Sequence, residues 1–168
     1  MMMGRAPEFQ NISGWINSEP LTLNGLRGKI VFLDFWTYGC YNCQNTLPEM
    51  KRLHARHAAE GLVMIGVHTP EFPYERKREN VEKAVASAGL NYPIALDSNN
   101  TTWKLYGNHY WPRQTIVDEK GEIAYEHVGE GSYDEIEAKV VELLRAAKSS
   151  VEMIGPEHTG PRTATQLG

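Results

Sequence analysis

Apolar residues follow two rhythms along this chain, and each change of rhythm marks an element. Residues 29–36 and 62–68 are near-continuous apolar runs bounded by turn residues, the pattern of strands covered on both faces. Between them, from Cys40 to about Ala59, Leu47, Met50, Leu53 and His57 recur at helical spacing until Gly61 ends the helix. Pro48 lies inside that pattern, removes one helical hydrogen bond and predicts a kink. After a loop over residues 70–73, Val81, Ala84, Val85 and Ala88 stand at i, i+3, i+4 and i+7 and predict a helix over 74–88, stopped by Gly89. Residues 91–96 read as a short strand and 102–106 as a short helix closed by Gly107. Residues 113–117 and 122–128 read as strands joined by Asp118-Glu119-Lys120-Gly121, a hairpin turn. Ser132-x-x-Glu135 is a capping box that opens a last helix, with Ile136, Val140, Leu143, Leu144 and Ala147 as its apolar face. At the front, residues 15–23 offer one or two short strands before the turn signals Asn24-Gly25 and Arg27-Gly28. At the back, Gly, Pro and Thr dominate, so the expected division is one domain over 1–150 and a disordered tail over 151–168.

Bulk properties narrow this picture without naming a chemistry. A chain of 168 residues with 41% apolar residues fits one domain with a full core, not a disordered chain. A net charge of −4 and a pI near 5.9 give no electrostatic reason to expect nucleic acid or an anionic membrane as partner. No apolar run approaches the roughly 18 residues of a transmembrane helix. The first seven residues lack an apolar signal region, which leaves a cytoplasmic protein or a domain cut from a longer export precursor. One close cysteine pair is a catalytic pattern, not a stapling framework, and does not decide the compartment.

The chemistry centres on residues 30–48. An apolar run leads into Thr37-Tyr38-Gly39, then Cys40-x-x-Cys43, then the helical pattern, and these are the chain's two cysteines. If Cys43 lies one helical turn after Cys40, their side chains share a face, within the roughly 4.4–6.8 Å Cα spacing a disulfide allows. A sulfur at a helix N-terminus meets unsatisfied N–H groups and the positive end of the dipole, which favour the thiolate. Cys40, first and more exposed, is therefore the expected attacking thiol, and Cys43 the thiol that resolves a mixed disulfide. A structural disulfide across so small a loop would constrain the unfolded chain little. Asp34 sits inside an apolar strand, where an ionised carboxylate is costly, so it should be largely protonated or reach water. His54-x-x-His57 follows the cysteine pair, but about 16 Å of helix at 1.5 Å per residue separates the two pairs, too far for tetrahedral zinc. His54 and His57 are expected on a helix surface. His68, His109 and His127 have no partner at metal spacing, although His68 ends a strand on the edge that carries Cys40.

Strand, Asp-Phe-Trp, short loop, Cys-x-x-Cys and helix, with Asp34 six positions before Cys40 and Pro48 eight after it, resemble the active-site segment of the thioredoxin superfamily. The longer spelling, Trp-Thr-Tyr-Gly-Cys-Tyr-Asn-Cys-x-x-Thr-Leu-Pro, is similar to the TlpA/ResA group and within it to thioredoxin-like domains of the DipZ type. The resemblance covers about residues 7–148. It implies a thioredoxin-like α/β fold, a central mixed sheet flanked by helices, with an N-terminal hairpin and a central αβ insertion.

It also implies roles. Cys40 and Cys43 would exchange disulfides with protein substrates, and Asp34 would exchange a proton with Cys43. Thioredoxins pair this acid with a lysine on the neighbouring strand, and residues 62–67 contain none. Pro112 occupies the place of the superfamily's cis-proline, with Trp111 before it pairing with a substrate chain. Trp36, Tyr110 and Trp111 would form an apolar rim around Cys40 for an extended polypeptide, with Tyr41 also binding substrate, while core packing is an equal reading of Trp36. Neither Tyr41 nor Asn42 is cationic, which favours a reductase over a strong oxidant. The group further implies a monomer without cofactor or metal, an extracytoplasmic setting of the cytochrome c maturation kind, and electrons from a DsbD/CcdA-like membrane protein. Two other chemistries share parts of the pattern. Thr37-x-x-Cys40 echoes a peroxidase motif, but Leu33 stands where that motif has proline. Copper-handling modules of the Sco kind use Cys-x-x-x-Cys, one residue longer than the spacing here.

Overall fold

The computed structural model describes residues 3–158. Ten regular elements follow in order: β1 (Trp15–Ile16), β2 (Ile30–Trp36), α1 (Tyr41–His57), β3 (Leu62–His68), α2 (Arg78–Ala88), β4 (Ile94–Leu96), α3 (Thr101–Leu105), β5 (Arg113–Val117), β6 (Ile123–Val128) and α4 (Tyr133–His158). The strands form one mixed sheet in the order β1-β4-β3-β2-β5-β6. The two long apolar runs, β2 and β3, lie parallel at its centre, where both faces are covered. β5 closes against β2 in the antiparallel sense, with Phe35 opposite Arg113 and Asp34 opposite Gln114.

Side chains alternate across a strand, and β2 shows what that does here. Ile30, Phe32 and Trp36 join Leu47, Met50 and Leu53 of α1, Val81 and Val85 of α2, and Ile136 and Val140 of α4 in one core layer. Val31, Leu33 and Phe35 join Trp103 of α3, Tyr106 and the N-terminal segment in the other. Asp34 has the parity of Ile30, Phe32 and Trp36, so the pleat turns its carboxyl toward the helix that begins at the cysteines.

The fold class is the expected thioredoxin-like one, with three local differences. The N-terminal segment forms no hairpin among the described residues: β1 adds to β4 at one sheet edge, and Arg5 bridges Glu122 at the other. Its short polar pieces find partners far along the chain rather than each other. α2 starts at Arg78 rather than at 74, because residues 73–76 form a tight 3₁₀ turn that carries Glu75 into the interior. α4 runs past 150 to His158, and the rest of the expected tail lies outside the described residues. Pro48 sits within α1 without ending it, and Gly61, at φ 111°, turns the chain out of the helix region into β3.

Candidate active site

β2 delivers the chain to the helix through Thr37-Tyr38-Gly39, and Cys40 is the N-cap of α1. Its Sγ accepts the backbone N–H of Cys43 at 3.1 Å, taking up one of the donors a helix N-terminus leaves free. Cys40 is half-buried, while Cys43 is fully buried one turn inside. Hydrogen bonding from the Cys43 thiol, helped by the N–H groups of Cys43 and Asn42, lowers the Cys40 thiol to about 7 against the opposing effect of burial. Burial pushes the Cys43 thiol far up, and its hydrogen bond to Cys40 and the charge of Asp34 add to that. The two sulfurs thus divide into one nucleophile and one held proton.

Asp34 is buried at 1% exposure, not at a strand end facing water. Burial raises its carboxyl to about 7, with the Cys40 charge pushing the same way. Gln114 favours the ionised form, but its Nε2, like Asp34 Oδ1, has no partner in hydrogen-bond geometry, so the amide offsets little of the burial. The residue opposite on β3 is Gly66. A Cβ there would lie 2.9 Å from Trp36 Nε1 and 3.3 Å from the Tyr92 ring, so those two aromatics fill the room a longer side chain would need. Asp34 therefore has neither Gly66 nor Gln114 as a cationic partner across the strands. The same packing decides between the two readings of Trp36: at 1% exposure, with its ring in edge contact with His68, it belongs to the core rather than to an open rim.

Pro112 is level with the end of β2, since its neighbour Arg113 pairs with Phe35, and the Trp111–Pro112 peptide is cis. Trp111 stacks on Trp103 at 4.0 Å and donates its indole N–H to the Thr69 carbonyl at 2.8 Å. Tyr41 and Tyr110 are widely exposed.

Polar residues around the sheet end and α1 take places that the sequence does not fully disclose. His68 is buried, and burial lowers its pKa to about 3, so its ring is neutral. Its Nε2 accepts the Tyr38 N–H at 3.2 Å, which places the ring proton on Nδ1. His68 thus meets the turn before Cys40 rather than the sulfurs. Glu75 is fully buried against the same turn and accepts the Thr37 hydroxyl at 2.7 Å. No local pattern announces it; the one hint is a pair of prolines, Pro70 and Pro73, that bend its loop back over the sheet. His57 is likewise buried rather than on a surface, between Glu60 and Glu137 at 2.8 Å each, while His54 packs on Tyr92. His127 Nδ1 lies 2.9 Å from Gln114 Oε1. Among the described residues no group of three or more His, Cys, Asp or Glu could hold a metal ion.

Comparison with known proteins agrees with this geometry. The AhpC/TSA family model matches residues 3–126. Protein DipZ of Mycobacterium tuberculosis is 42% identical over 159 residues, 93% of this chain, which spans only 23% of DipZ's own length. Thiol-disulfide oxidoreductase ResA of Halalkalibacterium halodurans is 29% identical over 130 residues, 77% of this chain and 70% of ResA. Among solved structures, a protein described as thiol:disulfide interchange protein DsbE from Chlorobium tepidum superposes with a TM-score of 0.76 at 25% identity, over 86% of this chain and 98% of that one. With a family model matched over most of its length, and a thiol pair of opposite acidities at the mouth of a helix, this chain belongs to the AhpC/TSA family and has a thioredoxin-like fold.

Proposed function

We propose that this chain reduces protein disulfides in an extracytoplasmic thiol pathway of the cytochrome c maturation kind. The Cys40 thiolate attacks one sulfur of a substrate disulfide, forming a mixed disulfide and releasing the other sulfur as a thiolate. That step removes the Cys40 charge, one of the influences that raise both Asp34 and Cys43. Asp34 then takes the Cys43 proton. The Cys43 thiolate attacks Cys40 Sγ, the second substrate thiolate leaves, and the enzyme holds a Cys40–Cys43 disulfide. Two electrons have passed to the substrate. A DsbD/CcdA-like membrane protein returns them; the DipZ resemblance supports such a donor, and no cofactor or metal enters the cycle. Trp111, Pro112 and exposed Tyr41 hold the substrate chain beside Cys40.

The observation that carries this reading is the arrangement of one half-exposed sulfur capping α1 over one buried sulfur, with an uncompensated acid beneath. Cys40 near 7 resembles thioredoxin, at about 7, rather than a strong oxidant such as DsbA, at about 3.5. Equilibration of the pair against glutathione buffers tests the direction. A potential below about −250 mV is expected, and one near −120 mV would reverse the assignment to an oxidant. A peroxidase has less support: Thr37 is fully buried with its hydroxyl given to Glu75, closed to a small oxidant. Peroxide consumption with a chemical reductant should stay at background.

A further inference from the structure

The turn that presents Cys40 is held from outside itself. Its three residues are gripped by the end of β3 and by the loop that follows, residues 69–77. Tyr38 gives its N–H to His68 Nε2 and its hydroxyl to the Tyr74 carbonyl at 3.2 Å, and its ring stacks on His68. Thr37 is held by Glu75, whose second oxygen lies against Gly39 without bonding it. Glu75 Oε1 accepts three donors: the Thr37 hydroxyl at 2.7 Å, the Glu71 N–H at 2.7 Å and the Phe72 N–H at 3.1 Å. Two of these come from its own loop and one from the turn before Cys40, so a single oxygen joins the two segments. Glu75 Oε2 has no partner and points at Gly39: a Cβ on that residue would lie 2.1 Å from it. The φ of Gly39 is not among the positive ones, so it is the carboxyl, rather than the backbone, that excludes a side chain there.

A fully buried carboxyl with one idle oxygen is an expensive way to close a loop, since a buried polar atom without a partner costs stability. The placement of this one has a chemical consequence. The Thr37 carbonyl accepts the Cys40 N–H at 3.3 Å, so a shift of Thr37 carries the N-cap sulfur with it. The same loop presents Phe72 and Tyr74, stacked at 5.9 Å and both exposed.

We propose that Glu75 is a positioning residue for thiol exchange: through its bond to Thr37, and by packing against Gly39, it fixes the turn that aims Cys40, and through the Glu71 and Phe72 amides it fixes an aromatic ledge on the same loop. The inference rests on the thiol-exchange reading and adds a residue to it. The start of α1 bonds the turn at its carbonyls, Cys40 N–H to Thr37 and Gln44 Nε2 to Tyr38, and leaves the Thr37 hydroxyl to Glu75.

The test measures disulfide reduction, far-UV circular dichroism and the pH dependence of Cys40 alkylation in the full chain. Glu75→Ala should retain its fold yet lose on the order of 100-fold in kcat/KM, the scale of an ångström-sized misplacement. Its alkylation midpoint should rise toward the ~8.5 of a free thiol as Cys40 loses its helix-end donors. Glu75→Gln keeps an oxygen for the three donors and should recover most of the rate. Thr37→Val removes only the donated hydroxyl and should move rate and midpoint in the same direction, which keeps the test alive should Glu75→Ala not fold. Gly39→Ala should impair wild type strongly but cost little on top of Glu75→Ala, a non-additivity specific to their contact. Glu75→Ala and Thr37→Val variants with wild-type rates and midpoints overturn the proposal, as does Glu75→Gln no better than Glu75→Ala. Additive losses with Gly39→Ala also overturn it. If wild type itself exchanges no disulfide, the thiol-exchange reading has failed instead.

Discussion

The two ends of α1 bury ionisable groups under opposite rules. At the N-terminal end, Asp34 lies under the cysteines with one carboxyl oxygen unpartnered and no cation across either strand, and burial lifts it to about 7. At the C-terminal end, every charge is matched. His57 bonds Glu60 and Glu137 at 2.8 Å, and Glu137 also takes Arg52 at 2.7 Å and Arg56 at 3.6 Å. There, hydrogen bonding from His57 draws the Glu137 carboxyl below its ordinary range. The helix dipole sorts the two ends alike, favouring a thiolate at the start and the basic His54, Arg56 and His57 in the last turn. Matched charges hold α1 against α4 and have no proton to spare. An unmatched acid costs stability, and that is what leaves it able to exchange a proton near neutral pH.

Breaking the reactive end at its sulfur should have the largest effect. Cys40→Ser replaces a thiolate held near 7 by a hydroxyl that stays protonated, and disulfide reduction should fall by on the order of 10³-fold or more. Cys43→Ser should instead perform the first attack and stop, accumulating a mixed disulfide at Cys40 that mass spectrometry of the unreduced protein detects. A Cys40→Ser variant as active as wild type would sink the division of labour between the sulfurs.

Asp34→Asn separates the two consequences of an unmatched acid. Without its base, the resolving step should slow by about 100-fold at neutral pH and lose the rise through pH 7 that Asp34 ionisation gives the wild type. Stability should move the other way. The folded carboxyl titrates at about 7, the unfolded one near 3.9, so its contribution is fully present below about pH 3.9 and lost as pH climbs through 7. Asn carries no such penalty. The variant should match wild type at pH 4 and exceed it at pH 8 by as much as about 4 kcal/mol, the ceiling set by a three-unit difference. Urea melts at the two pH values decide it: a gain that does not grow with pH means the carboxyl is not desolvated.

These contrasts also explain what the sequence discloses. The strands β2 and β3, the span of α1 and the cysteine spacing are legible because period and spacing are local. Asp34 stands out for the same reason, as a charge in an apolar run. Trp36 does not, because a near-continuous run has no alternation to say which layer a side chain enters. His57 occupies an apolar position of its own helix, yet what makes it a buried, paired residue is Glu137, on a helix far along the chain. β1 is missed as an edge strand because its partner is β4 rather than a neighbour. Glu75 is the extreme case: read as part of the first turn of a helix over 74–88, it turns inward, where one of its oxygens serves Thr37 and its own loop.

The matched end should yield the smallest effect, and its pH dependence identifies it. Burial opposes protonation of His57, but the carboxylates of Glu60 and Glu137 outweigh burial and hold its pKa above the ordinary value. Its contribution is therefore present below about pH 6.5 and lost as pH rises through the folded value. Glu137 is held low, so its contribution is present above the ordinary carboxylate range and lost as pH falls through its own folded value. The seam between α1 and α4 is tightest where both are charged, around pH 5 to 6. His57→Gln keeps a hydrogen-bonding side chain without the charge and should cost roughly 1–2 kcal/mol in that window, the scale of a partly buried histidine at a helix C-terminus. Glu60 is largely exposed and contributes the smaller share, so Glu60→Gln should cost well under 1 kcal/mol. The His57→Gln loss should shrink toward pH 8.5, as wild-type His57 itself loses its proton. Equal losses at pH 5.5 and 8.5 would mean that shape rather than charge closes this end of the helix, and the two ends would then differ less in kind than their hydrogen bonds suggest.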